Sequence, residues 1–191
     1  MITMKTIFNN ARINKSMLLL GIGLIAFSCS DDDDAPVAVD EEEVITTMTI
    51  TLTGSGNTIT LQSQDLDGDG PNQPEITVSD DLLANTTYLG SIELLNETES
   101  PAEDITEEVE EEDEEHQFFF SAGGSISDVT YSDEDEDGNP VGLSFQLTTV
   151  DAGEGTLLVT LRHEPTKPND GTLADAGGET DIAQSFNITV Q

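Results

Sequence analysis

The chain has 191 residues, of which 40 are Asp or Glu and only five are Lys or Arg, with one cysteine and no tryptophan. A polyanion of this kind excludes nucleic acid as a partner, because binding phosphate needs clustered Lys and Arg. Direct docking to anionic lipid is excluded on the same ground. Cations, basic proteins and neutral ligands remain as partners. Adaptation to high salt, where screening shortens repulsion to about 3 Å at 1 M, accounts for the charge equally well.

Residues 1–28 carry Lys5, Arg12 and Lys15 and no acid, and an uncharged apolar run follows from Met17 to Phe27. As a helix that run reaches roughly 16 Å, about half the hydrocarbon thickness of a bilayer. A basic start followed by a short apolar stretch predicts a cleavable export signal over residues 1–28. The segment Ile25-Ala26-Phe27-Ser28-Cys29 resembles a lipobox, in which the cysteine is acylated and becomes the first residue after cleavage. Acylation explains a lone cysteine in an exported chain, where thiols are normally paired. A plain secretory signal with an incidental Cys29 is the alternative.

Ser30 and Asp31 to Asp34 resemble the tag that sends lipoproteins of Bacteroidota to the outer face of the outer membrane. The periplasmic face is the other address, and the acids would also serve simply to solvate a linker. Residues 29–43 are expected to be an acidic, disordered tether. All 40 acids but only Arg162 and Lys167 among the basic residues lie beyond the signal, so the tethered product is almost purely anionic.

Residues 44–191 are enough for one domain with one core. Alternation of period two dominates them. Thr47–Thr53 sets Met48, Ile50 and Leu52 between threonines, the pattern of a half-buried strand. Further strands are expected at Thr58–Gln62, Glu75–Val78, Thr86–Asn96, Gln117–Ala122, Ser127–Tyr131, Gly142–Val150, Thr156–Glu164 and Ile182–Gln191. Their inward faces are Tyr88/Ile92/Leu94, Leu143/Phe145/Leu147, Leu157/Val159/Leu161 and Phe186/Ile188/Val190. Turn chemistry separates them, as at Gly54-Ser55-Gly56-Asn57 and Asp151-Ala152-Gly153. The spacing predicts an all-β protein, an immunoglobulin-like antiparallel β-sandwich lacking the usual Cys–Trp–Cys core.

One short acidic helix or loop interrupts the strands. Ser100-Pro101-Ala102-Glu103 has the spacing of a capping box with proline at the first helical position. Ile105 and Val109 lie one turn apart and could dock such a helix. From Glu107 to Glu115 every residue but Val109 is acidic, so like charges stack one turn apart. The helix is expected only if docked, cation-loaded or in high salt.

Two loops fit D-x-D-x-D-G. One holds Asp65, Asp67 and Asp69, with Glu75 as an added donor, and the other holds Asp133, Asp135 and Asp137. Alternating carboxylates with a glycine turn can wrap Ca²⁺ at about 2.3–2.6 Å. Neither is an EF-hand, since the twelfth positions are Ile76 and Ser144. Plain Asp/Gly turns use the same residues. The second candidate site is the histidine pair. His116 is in phase with Phe118 and Phe120, and His163 with Leu157, Val159 and Leu161. If their strands are neighbours, two imidazoles with nearby carboxylates suit Zn²⁺ or another transition metal. Structural histidines at strand ends are the alternative.

No G-x-S-x-G, P-loop or H-E-x-x-H occurs, and the single thiol is assigned to the anchor. With no Trp and two Tyr, a stacking platform for sugars is lacking. The chain is therefore expected not to be an enzyme. Asp65-Leu66-Asp67-Gly68-Asp69-Gly70-Pro71-Asn72, Leu83-Ala84-Asn85-Thr86-Thr87-Tyr88, Leu95-Asn96-Glu97-Thr98, Glu114-Glu115-His116-Gln117 and Leu161-Arg162-His163-Glu164-Pro165 carry a wider resemblance. With the leader ending Cys29-Ser30-Asp31, they resemble flavobacterial lipoproteins labelled "type 1 periplasmic binding fold superfamily protein". That label implies two α/β lobes and nearly twice this length, whereas the residues here read as almost all β.

The expectation is a membrane-anchored, surface-exposed binding module for divalent cations, accessory to outer-membrane uptake beside a TonB-dependent receptor. One alternative is a small-molecule or peptide carrier with a pocket lined by Phe118–Phe120. The other is a structural or adhesive surface protein, suggested by the flat Thr-rich strands.

Overall fold

The computed structural model describes residues 43–68 and 70–191. The export signal, Cys29, the tether through residue 42 and Asp69 lie outside the described residues. In chain order the elements are β1 (Thr47–Gly54), β2 (Asn57–Gln64), β3 (Glu75–Val78), β4 (Thr87–Asn96), β5 (Glu103–Asp104) and α1 (Ile105–Glu111). They continue with β6 (His116–Gly124), β7 (Ile126–Tyr131), β8 (Ser144–Thr149), β9 (Gly153–His163), α2 (Leu173–Ala176) and β10 (Glu179–Val190).

Two antiparallel sheets form a β-sandwich. The larger runs β3-β2-β1-β4-β8-β7 with β5 added on β4, and the smaller runs β10-β9-β6. Alternation explains which face of each strand turns inward. Met48, Ile50 and Leu52 meet Leu157, Val159, Leu161, Phe186 and Ile188 in one buried cluster. All four inward triplets expected from the sequence are buried. Tyr88 is fully buried at the start of β4, and its hydroxyl accepts the Leu83 N–H at 2.7 Å. A tyrosine whose hydroxyl returns to the backbone just upstream is a recurrent corner of immunoglobulin-like sandwiches. Gly90 lets Phe145 lie flat on β4, since a Cβ there would meet the ring at 2.4 Å.

The helix differs from expectation at its start. It begins at Ile105, not at Ser100, and the Asp104 carboxylate caps it by accepting the Thr106 N–H at 3.0 Å. The reason is competition for backbone: Glu103 and Asp104 pair with Asn96 and Leu95 and are therefore extended. Docking rescues the acidic helix, as Ile105 and Val109 are both buried. The Thr106 hydroxyl also takes the Leu94 N–H at 2.9 Å, fastening the first turn to β4. Among the described residues no helix is long and apolar enough to cross a membrane.

Candidate metal centre

The pairing of β6 with β9 sets His116 directly opposite His163, with ring centroids 4.7 Å apart. On the other side of β9, β10 is out of step between Thr180 and Ile182. From Val190 back to Ile182, every second residue points inward, so strict alternation would turn Asp181 outward. The bulge inserts Asp181 as an extra residue, and such bulges re-aim side chains. Its carboxylate is 1% exposed and stands 4.0 Å from His163 Nδ1. Gly178 makes the approach of β10 to the end of β9 possible, with φ +62° and a Cβ position 2.1 Å from the His163 carbonyl.

The fourth member arrives from the other sheet. Glu43, which the sequence places at the end of a solvated tether, has a side chain only 2% exposed. It is held there because Thr46 hooks onto β4, its hydroxyl donating to the Leu95 carbonyl and accepting the Glu97 N–H. Glu43 Oε1 lies 3.0 Å from His116 Nε2, and Oε2 lies 3.4 Å from His163 Nδ1. One ligand atom from each of Glu43, His116, His163 and Asp181 falls within 4.8 Å of the others. These four buried or half-buried side chains can hold a metal ion.

The hydrogen bonds define the protons. His116 Nδ1 is 3.1 Å from the carbonyl of Glu112, the C-cap residue of α1. A carbonyl only accepts, so Nδ1 carries a hydrogen and Nε2 is left either with a lone pair or with a second proton. Metal-ligating histidines are oriented by this kind of outer contact. Without a metal, the proton sits between Nε2 and Glu43. Burial pushes the His116 pKa down, but the hydrogen bond and charge of Glu43, the Glu112 carbonyl and the charge of Asp181 outweigh it and raise it above 6.5. Burial likewise pushes Glu43 up, yet its bonds to His116 and its own backbone and the charges of both histidines hold it below 4.5. Glu108 is raised, first by burial and then by the charges of Glu43, Glu112 and Glu103. The surroundings of the centre therefore carry an excess of negative charge that a cation would relieve.

The Asp/Gly loops are arranged differently. In the second loop, Asp133 accepts the N–H groups of Gly142 and Ser144, each at 2.7 Å. Asp135 is buried, accepts the N–H groups of Asp137 and Asn139, and pairs with Lys167 at 3.1 Å. Those carboxylates accept backbone N–H groups of the β7–β8 connection, and among the described residues they form no group with Asp137. In the first loop, Asp65 accepts the Asp67 N–H and Asp67 accepts from Asn72, while Glu75 is exposed on β3. The carrier pocket expected from Phe118–Phe120 is also rearranged. Phe118 is in the core, and Phe119 and Phe120 line a shallow cleft of about 320 Å³ with Leu158 and Leu173.

Sequence reasoning named both histidines and missed both carboxylates. Asp181 was hidden by a bulge, and Glu43 looks like any other acid in a run of four. A signal did exist for Glu43, since it stands directly before the apolar pair Val44-Ile45 that leads into β1. A scan against protein-family models, a search of curated proteins and a search of solved structures each gave no match.

Proposed function

We propose that the chain is a non-enzymatic, lipid-anchored surface module that binds a divalent transition-metal ion through Glu43, His116, His163 and Asp181. The observation that carries this reading is the direct cross-strand pairing of the two histidines beneath a buried glutamate. Zn²⁺ fits best. Zinc bonds of about 2.0–2.2 Å in a tetrahedron separate ligand atoms by about 3.3–3.6 Å. The 3.0 and 3.4 Å contacts of Glu43 lie close to that spacing, so modest adjustment would complete the site. Two imidazoles suit Zn²⁺ or a neighbouring first-row ion and not Ca²⁺, which takes six to eight oxygens.

Thermal melting with Zn²⁺, Ca²⁺ or EDTA tests the assignment. Zn²⁺ well above its Kd is expected to raise Tm by about 10 °C, and Ca²⁺ to leave it within about 2 °C of the EDTA value. A midpoint indifferent to Zn²⁺ sinks the metal reading. The anchor is tested separately by Cys29→Ala, which is expected to move the protein from the membrane fraction to a soluble one. Retention of the variant in the membrane fraction would refute acylation. In this reading the tether presents the module at the outer membrane, as an accessory to uptake beside a TonB-dependent receptor.

A further inference from the structure

We infer that the ion at this centre is a structural staple between the two sheets, with Glu43 as the ligand that closes it; this rests on the metal-binding reading above. Three of the four side chains belong to the smaller sheet. His116, His163 and Asp181 lie on β6, β9 and β10, with β9 hydrogen-bonded to the strand on either side of it. Their relative positions are therefore fixed by backbone pairing whether or not a metal is bound.

Glu43 comes from elsewhere. It precedes β1, an inner strand of the larger sheet, and Thr46 is tied to β4 of that same sheet through both its backbone N–H and its hydroxyl. An ion shared by Glu43 and the histidines thus links the start of one sheet to the strand ends of the other. Glu43 and His116 are 73 residues apart, and clips that close long loops remove the most freedom from the unfolded chain. The chain has a single cysteine, so no internal disulfide can supply this cross-link.

The position of Glu43 adds a direction to the link. It stands four residues before β1, so the staple also holds the segment that leads into the first strand. Within residues 43–46, Thr46 is held by β4, whereas the Glu43 side chain is held by the two histidines. Losing the ion removes an attachment of the first residues and none of the pairing in β6, β9 and β10.

The test uses the full chain and Glu43→Gln, read by zinc affinity, Tm with and without saturating Zn²⁺, and protease cleavage within residues 43–46. Glu43→Gln keeps the shape of the side chain and the three ligands of the smaller sheet. It is expected to bind Zn²⁺ more weakly by about 100-fold or more, since a ligand loss exceeds the 10- to 100-fold of outer-shell contacts, and to lose more than half of the zinc-induced rise in Tm even at saturation. Zn²⁺ is expected to slow cleavage within 43–46 at least about tenfold in the native chain and to have little effect in the variant. If saturating Zn²⁺ raises Tm equally in both proteins, or leaves cleavage of the native chain unchanged, the staple is overturned while the metal centre stands. If the native chain binds no Zn²⁺, both readings fall.

Discussion

Alanine in place of His116 or His163 is expected to lower zinc affinity by about 100-fold or more, since removing a ligand exceeds the 10- to 100-fold typical of outer-shell contacts. The two variants should differ sharply without metal. His116 is fully buried and makes the shortest contact to Glu43, at 3.0 Å. Its loss leaves a buried carboxylate facing the more distant His163 at 3.4 Å and opens a cavity under the end of α1. A buried pair stripped of one member loses about 3 kcal/mol or more, so His116→Ala should lower the metal-free Tm by several degrees. His163→Ala keeps the His116–Glu43 bond and should cost less. Equilibrium unfolding in EDTA, set beside zinc titration, separates these effects. Unchanged zinc affinity in both variants would eliminate the centre, and equal metal-free losses would refute the ranking of the two contacts.

That ranking shows what sequence can and cannot carry. The strands were legible because alternation is local: Met48, Ile50 and Leu52 reveal their face from spacing alone, and β3 falls on the four residues expected, Glu75–Val78. The histidines were legible as candidates because each is in phase with an apolar face. Their pairing was not, because it depends on β6 and β9 being neighbours, a relation between residues 47 positions apart that no local pattern encodes. Asp181 was hidden for the opposite reason. Local alternation is clear there, and the bulge overrides it. The Asp133–Asp137 loop fits a calcium pattern because turns and calcium loops need the same residues, and the pairing of Lys167 with Asp135 is a long-range contact that no local pattern encodes. The helix start at Ser100 failed because a two-residue strand captured the chain first.

The protonation of His116 predicts that metal abolishes the alkaline decline in stability. In the metal-free protein its folded pKa is raised above the unfolded value of 6.5. Its contribution is therefore fully present below 6.5 and is lost as pH rises through the higher folded value. Glu43 has a folded pKa held below 4.5, so its contribution is present above 4.5 and is lost as pH falls through the lower folded value. The imidazolium–carboxylate pair is thus strongest between about 4.5 and 6.5 and weakens on the alkaline side. A bound ion removes that limb. Zinc takes the lone pair of Nε2, so it must displace the proton that Glu43 helps retain, and binding releases protons. The zinc-dependent part of the stability should therefore rise with pH across the range in which the metal-free protein declines. Melting scans from pH 6 to 8.5 should show a decline in EDTA that is absent in buffered excess Zn²⁺, so that the gap between the two curves widens as pH rises. His116→Gln, with no titrating ring, should flatten the EDTA limb. Parallel slopes in EDTA and zinc would mean that the proton and the ion do not compete for Nε2, and Glu43 and His116 would then be an ion pair only.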